Sequence, residues 1–301
     1  MQDSMKNYFR LSIVFSMAYP VGQDNEKILE CVRKIALDPD FEAVELTHIE
    51  DDETRKKAIK MCRTANLDVS YAAQSCVLMA GVNPNATDEA ERQKAVQLLK
   101  DCIDEAYEMG AESLGFVTGH YDPNGVEKAL DCLDATVSEL CEHAAKKGDM
   151  IIGVEVFDYD LDKCALIGPA DRARAFGERM SKKYDNFCLI TDLSHIPQIH
   201  ESIQESVVPV LPYLKQMHMG NCVIQEGCAN YGDKHPRFYF PNSEVGVEEL
   251  TEYLRLLLDK GIINRAKRPI LSFEIKPFED EDPDLVIANA KRVLDLAWLH
   301  V

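Results

Sequence analysis

Short apolar runs of strand length recur along the chain, each followed by a longer stretch with helical spacing. The runs are Leu11 to Ala18, Ala43 to Thr47, Leu67 to Ala73, Ser113 to Thr118, Met150 to Phe157, Phe187 to Leu193, Gln216 to Met219 and Pro269 to Ile275. Between them lie segments such as Glu26 to Ala36, Glu89 to Met109, Val126 to Lys147, Val247 to Lys260 and Pro283 to Leu299. In Glu89 to Met109, the residues Ala90, Ala95, Leu98, Leu99, Cys102, Ile103 and Ala106 fall close to i, i+3, i+4 spacing, the signature of one buried helix face. Alternation of strand and helix predicts a parallel sheet, because parallel neighbours need a crossover and a helix usually supplies it.

Eight such units in 301 residues predict an α/β fold of the (β/α)8 TIM-barrel type, which typically takes about 250 residues. The whole span 1–301 is expected to be one domain, since no linker, low-complexity stretch or composition break divides it. A doubly wound open sheet is the competing architecture, but no G-x-G-x-x-G or phosphate-binding loop follows the first run. One connection breaks the rhythm. Asn221 to Glu244, after the seventh run, is long and rich in Gly, Pro and aromatic residues, as expected of a lid or binding loop. At the start, Lys6 and Arg10 precede Leu11 to Ala18 in the manner of a signal peptide. The run is short, contains Ser12 and Ser16 and lacks an A-x-A site, so it reads as the first strand.

Composition narrows the function classes. Hydrophobic residues make up 46% and charged residues 28%, ordinary for a soluble globular protein. No segment approaches the roughly 20 apolar residues of a membrane span. The formal charge of −19, from 52 acidic against 33 basic residues, sets up a field that repels nucleic acid and anionic membranes, so neither is an expected partner. Ten cysteines are scattered singly with no C-x-x-C pair. That distribution predicts free, mostly buried thiols and a cytoplasmic location.

In a barrel the C-terminal ends of the strands converge on one face. Run five carries Val154-Glu155-Val156, run six Thr191-Asp192-Leu193-Ser194-His195, run seven Met217-His218-Met219-Gly220-Asn221 and run eight Phe273-Glu274-Ile275-Lys276; run four ends Thr118-Gly119-His120. An unpaired charge inside such apolar runs costs several kcal/mol. Three carboxylates and a histidine converging there repel one another unless a cation neutralises them. Mixed oxygen and nitrogen donors suit Mn²⁺, Mg²⁺, Co²⁺ or Zn²⁺ without choosing among them; Mn²⁺ is the leading expectation. Taken singly, each residue has a plainer reading; Glu274, for example, has Lys276 beside it. It is the succession of four strand ends, each offering a ligand, that carries the signal. Glu45 on run two reads as a substrate contact or as one half of a structural pair, the second being preferred, and His48, His143, His200 and His300 fall on helices or outer positions.

At these residues the sequence resembles the xylose isomerase-like TIM-barrel superfamily, which includes ketose 3-epimerases, hydroxypyruvate isomerases, inosose dehydratases and the endonuclease IV family. The resemblance lies in a strand-five Glu, a strand-six D-x-x-H, a strand-seven His and a strand-eight Glu: Glu155, Asp192 with His195, His218 and Glu274. It implies that Glu155, Asp192, His218 and Glu274 hold the metal, that Glu155 and Glu274 form the acid/base pair, and that His195 contacts substrate. The loop Gly232-Asp233-Lys234-His235-Pro236-Arg237 is similar to the D-x-H of endonuclease IV, whose strand-four His matches His120, and this implies a second metal at Asp233 and His235 with His195. His120 and Arg237 join His195 as expected substrate contacts. Two departures stand out: the strand-three end, Tyr71-Ala72-Ala73-Gln74, lacks the endonuclease His, and Phe157-Asp158-Tyr159-Asp160 replaces the epimerase pattern after Glu155.

The resemblance implies an isomerase or 3-epimerase acting on a polyol or sugar-like substrate, with a cation that polarises a carbonyl and stabilises an enediolate. A lyase or dehydratase of the inosose dehydratase or C-glycoside-cleaving type is the alternative, since it begins with the same proton abstraction. A phosphodiesterase of the endonuclease IV kind ranks below both, given the charge and the missing histidine. A non-catalytic metal-stabilised protein is the reading from a different class. Homo-oligomers are common in the resembling families and are a further expectation here.

Overall fold

The computed structural model describes residues 3–278 and 280–301. Eight parallel strands form one sheet: β1 (Arg10–Ile13), β2 (Ala43–Leu46), β3 (Asp68–Ala72), β4 (Ser113–Val117), β5 (Ile151–Glu155), β6 (Phe187–Asp192), β7 (Leu214–Gly220) and β8 (Ile270–Glu274). Each pairs with its sequence neighbour from β2 through to β8, and β8 pairs with β1. A parallel bridge between Val14 and Glu45 links β1 to β2 and brings the sheet round into a barrel. Helices follow the strands and pack outside, the longest being Glu89–Met109, Val126–Ala145 and Pro283–Trp298. The expected (β/α)8 barrel is the observed fold.

Local chemistry sets the element boundaries. Asp24, Asp51 and Asp88 each stand just before a helix and accept a hydrogen bond from the backbone N–H three residues on. This satisfies donors that a helix start otherwise leaves bare. Asn66 and Gly110 close two helices in the left-handed conformation, where Gly and Asn pay the least steric cost. Two expected boundaries move. The first run splits into β1 and a helical turn, Phe15–Ala18, while the seventh strand extends to Leu214–Gly220.

Inside the barrel, size and polarity are matched across strands. A Cβ on Gly115 or Gly153 would lie 2.7 or 2.6 Å from Ile190 Cδ1, so these two glycines make room for one large side chain at the centre. Below the strand ends lies a buried polar group formed by Glu45, Gln216, Ser113 and Ser272. Ser113 Oγ donates to Gln216 Oε1 at 2.8 Å, and Gln216 Nε2 donates to Glu45 Oε2 at 2.8 Å. A register shift between Leu189 and Ile190 sets Asp192 opposite His218, while Gly220 pairs with Glu274. That stagger brings successive strand ends level.

Candidate metal centre

Glu155, Asp192, His218 and Glu274 each offer one ligand atom, and the four atoms lie within 4.8 Å of one another. All four side chains are buried, Glu155 and His218 completely. His218 Nδ1 lies 2.7 Å from Glu274 Oε2 and 3.2 Å from Glu155 Oε1. Its other nitrogen, Nε2, lies 3.1 Å from Glu45 Oε1. Glu155 Oε2 accepts a hydrogen bond from Gln74 Nε2 at 2.6 Å.

Asp192 is held from the backbone. Its Oδ1 accepts from Ser194 N at 2.7 Å and from Gly220 N at 3.1 Å. A Cβ at residue 220 would come within 2.9 Å of both Asp192 Oδ1 and the Glu274 carbonyl, so only glycine allows this approach. Asp192 Oδ2 is buried and has no hydrogen-bond partner.

The charges explain the protonation states. Burial pushes the Asp192 carboxyl up, and the nearby Glu274 charge adds to the effect. Burial works against protonation of His218, yet Glu45, Glu155 and Glu274 together raise its pKa well above the ordinary imidazole value. Without a cation this cluster keeps protons; a divalent ion would displace them. Three buried carboxylates, two of them (Asp192 and Glu274) with an oxygen that lacks a hydrogen-bond partner, and one imidazole form a donor set that fits a hard or borderline divalent cation.

The loop after β7 supplies a second group. Asp233 Oδ1 lies 2.7 Å from His235 Nε2 and 3.1 Å from His195 Nε2, and Lys163 Nζ lies 2.9 Å from Asp233 Oδ2. His195 Nδ1 donates to the Val156 carbonyl at 2.9 Å, which leaves Nε2 as its functional nitrogen. Burial lowers the pKa values of both imidazoles, but Asp233 and its neighbouring carboxylates outweigh it, pushing His195 up to about 10 and His235 to about 9. Burial acts to raise Asp233, yet the charges of His235 and His195 hold it well below the carboxylate range. Asp192, His195 and His235 make a second cluster whose donor atoms fall within 4.8 Å of one another.

Two loops carry these groups. Asn221, fully buried, ties down the segment after β7: its Oδ1 accepts from Cys222 N and Val245 N, and its Nδ2 donates to Arg237 O and Ser243 Oγ. Lys276 N donates to the His235 carbonyl at 2.7 Å, pinning the loop to the end of β8. After β5, the buried Asp158 carboxylate accepts from the backbone of Leu161, Asp162, Lys163 and Cys164. This turn delivers Lys163 to Asp233.

Two residues expected at the site make their contacts outside the cluster. His120 is exposed, beside Asn83, Asn85 and Tyr121 in a separate small cleft. Arg237 ion-pairs with Glu281 at 2.7 Å and donates to the Phe238 and Tyr239 carbonyls. Conversely, Glu45, Gln74 and Lys163 touch the cluster without having been singled out for it. A buried acid in a strand, at Glu45, was the available signal for the first. Gln74 and Lys163 had none, because contacts of that kind depend on loop geometry.

A barrel with buried acids and imidazoles gathered at the C-terminal ends of its strands defines a class of enzyme-like scaffolds, with the site built from strand ends and loops. More particularly, the chain belongs to the xylose isomerase-like TIM barrel family, whose profile matches residues 34–281. No curated protein matches the chain by sequence. Among solved structures, it is similar to a D-tagatose 3-epimerase-like protein at 19% identity, with a TM-score of 0.69 over 96% of this chain and 98% of that one. It is similar to the D-allulose 3-epimerase from Methylomonas sp., solved in complex with D-allulose, at 16% identity and a TM-score of 0.67 over 99% and 96%. A xylose isomerase-like TIM barrel protein from Mycobacterium smegmatis, in complex with magnesium, matches at 15% identity and a TM-score of 0.60 over 99% of both chains. Among the described residues, no helix is long and apolar enough to cross a membrane.

Proposed function

We propose that the chain is a divalent-metal-dependent isomerase or epimerase of a sugar or sugar derivative. The observation that carries this reading is the grouping of Glu155, Asp192, His218 and Glu274, one donor atom from each within 4.8 Å, at four successive strand ends. Family membership and the epimerase folds among the structural neighbours support it.

These four residues would hold the cation, and Mn²⁺ or Mg²⁺ suits their oxygen-rich set. When bound, the cation supplies a Lewis acid that polarises a carbonyl and spreads the negative charge formed when a neighbouring carbon loses its proton. In this reading Glu155 and Glu274 take and return that proton. Their carboxylates come to the site from two different strands, both beside His218 Nδ1, which supports separate proton-transfer roles for them. Gln74 fixes Glu155 by holding Oε2. His195, whose ring is oriented by the Val156 carbonyl and packs 4.1 Å from the Phe157 ring centroid, is the substrate hydroxyl contact.

The Asp192–His195–His235 cluster favours a second reading, in which a further cation joins Asp233 and His235 in a two-metal hydrolase. Lys163 on Asp233 opposes it by supplying a positive charge already. Metal content decides between them. Elemental mass spectrometry should find one divalent ion per chain, lost in Asp192→Ala, and Glu155→Gln should abolish turnover on a ketohexose panel with the fold intact. Two ions per chain would move the reading to hydrolysis, and normal turnover by Glu155→Gln would remove the proton-transfer role.

A further inference from the structure

We propose that Glu45 is a positioning residue for the metal centre, accepting the Nε2 proton of His218 so that the ring presents Nδ1 to the cation. The proposal rests on the metal-dependent reading above and adds a residue from outside the ligand group.

The two nitrogens of His218 face different surroundings. Nδ1 points at the carboxylates of Glu155 and Glu274, two members of the four-residue cluster. Nε2 points the other way, 3.1 Å from Glu45 Oε1 but off the line of a hydrogen bond, so it stands without a hydrogen-bond partner while Nδ1 bonds to Glu155. A small turn of the ring as a cation takes Nδ1 is what would hand the Nε2 proton to Glu45. A neutral imidazole carries one proton, and its place decides which nitrogen has a lone pair to give. With the proton on Nε2 and bonded to Glu45, Nδ1 is the free donor. With the proton on Nδ1, the ligand lone pair would face a carboxylate and the cluster would lose its nitrogen donor.

Glu45 is built for this task rather than merely present. Only 1% of it is exposed, and a buried carboxylate persists only where hydrogen bonds surround it. Oε2 accepts from Gln216, which is itself held by Ser113, while Oε1 accepts from Ser272. Its backbone forms the bridge to Val14 that closes the barrel. The carboxylate is thus locked on three strands, and the remaining side of Oε1 faces the imidazole. Carboxylate–histidine–metal triads of this kind orient the ligand and raise its basicity, and loss of the outer carboxylate typically weakens metal binding by about 10–100-fold.

The test uses the full chain and reads metal binding directly. Mn²⁺ titration calorimetry on wild type, Glu45→Gln and Glu45→Leu should give a graded series: a few-fold loss for Gln, which keeps an acceptor oxygen, and about 10–100-fold for Leu. Melting temperatures of the metal-free proteins separate this from a purely structural role, which would lower stability and leave the affinity of the folded protein unchanged. A folded Glu45→Leu that binds Mn²⁺ like wild type overturns the proposal. Should the Leu variant fail to fold, ¹⁵N-histidine spectra of the Zn²⁺-loaded wild type decide, with His218→Gln giving the assignment. A protonated Nε2 and a metal-bound Nδ1 support Glu45 as the positioning group, and the reverse tautomer overturns it. Wild type that binds no metal would bring down the metal-dependent reading itself, and this proposal with it.

Discussion

Gln74 Nε2 donates to Glu155 Oε2 at 2.6 Å, so a side chain just beyond β3 braces the glutamate at the end of β5. Glu155 is fully buried, with its other oxygen turned to His218. The relationship joins two parts of the chain 81 residues apart and makes the position of Glu155 depend on the short helix Gln74–Ala80.

Replacing Gln74 with Leu removes the donor and leaves a buried carboxylate oxygen bare. The cost of stranding a buried polar group is about 1–3 kcal/mol, more if it is charged. Urea unfolding of the metal-free variant should show a midpoint lowered by that order. An unchanged midpoint would mean that Glu155 finds another donor and that Gln74 is not its brace.

Asp158 poses a sharper case, because one carboxylate serves four backbone amides of the turn after β5. Asp158→Ala should destabilise the protein by about 3 kcal/mol or more, the range for breaking a buried network. The turn should also become a preferred site of limited proteolysis between residues 158 and 164, since its amides lose their only common acceptor. Resistance to protease equal to wild type would show that the turn holds without the carboxylate.

The barrel was legible because its signal is repeated. Eight apolar runs, each with a helical stretch behind it, fix the strand order even where a single boundary is off by several residues. The cluster was legible for the same reason: Glu155, Asp192, His218 and Glu274 interrupt four successive runs at equivalent positions, and the barrel brings equivalent positions together. What pattern does not carry is the direction of a side chain on a loop. Arg237 sits four residues from Asp233, yet it turns to Glu281, while Asp233 turns inward to two histidines. Glu45 read as half of a structural pair. The pair exists, but its partner is His218, on a strand 173 residues away in sequence, and no local spacing points there.

Metal should stabilise the fold and Asp192→Asn should cancel the effect. A cation that binds only the native state adds about 2.7 kcal/mol at 100 times its Kd, a melting shift of several degrees. Asp192 carries a raised pKa because burial disfavours its charge, so the neutral Asn variant should melt no lower than wild type without metal. The expected pattern is an unchanged or higher metal-free melting temperature with no Mn²⁺-induced shift. A variant that still responds to Mn²⁺ would place the ion elsewhere.

The Asp233 network predicts how the metal-free protein responds to alkali. His195 and His235 have pKa values raised from 6.5 to about 10 and about 9, so the native state holds these protons more tightly than the unfolded chain. Stability from a raised group is complete below the unfolded value and is lost as pH rises through the folded one. The urea midpoint of EDTA-treated protein should therefore decline from about pH 6.5 to about pH 10. His218, raised well above its ordinary value by Glu45, Glu155 and Glu274, acts in the same direction. Asp233→Asn removes the charge that most favours the protonated forms of His195 and His235 and should flatten the slope, leaving the His218 contribution. Metal must displace the His218 proton, so Mn²⁺ affinity should run the other way and strengthen over the same pH range. A midpoint independent of pH between 6.5 and 10 would mean that His195, His235 and His218 are all neutral in the native protein and that the Asp233 cluster is held by hydrogen bonds alone.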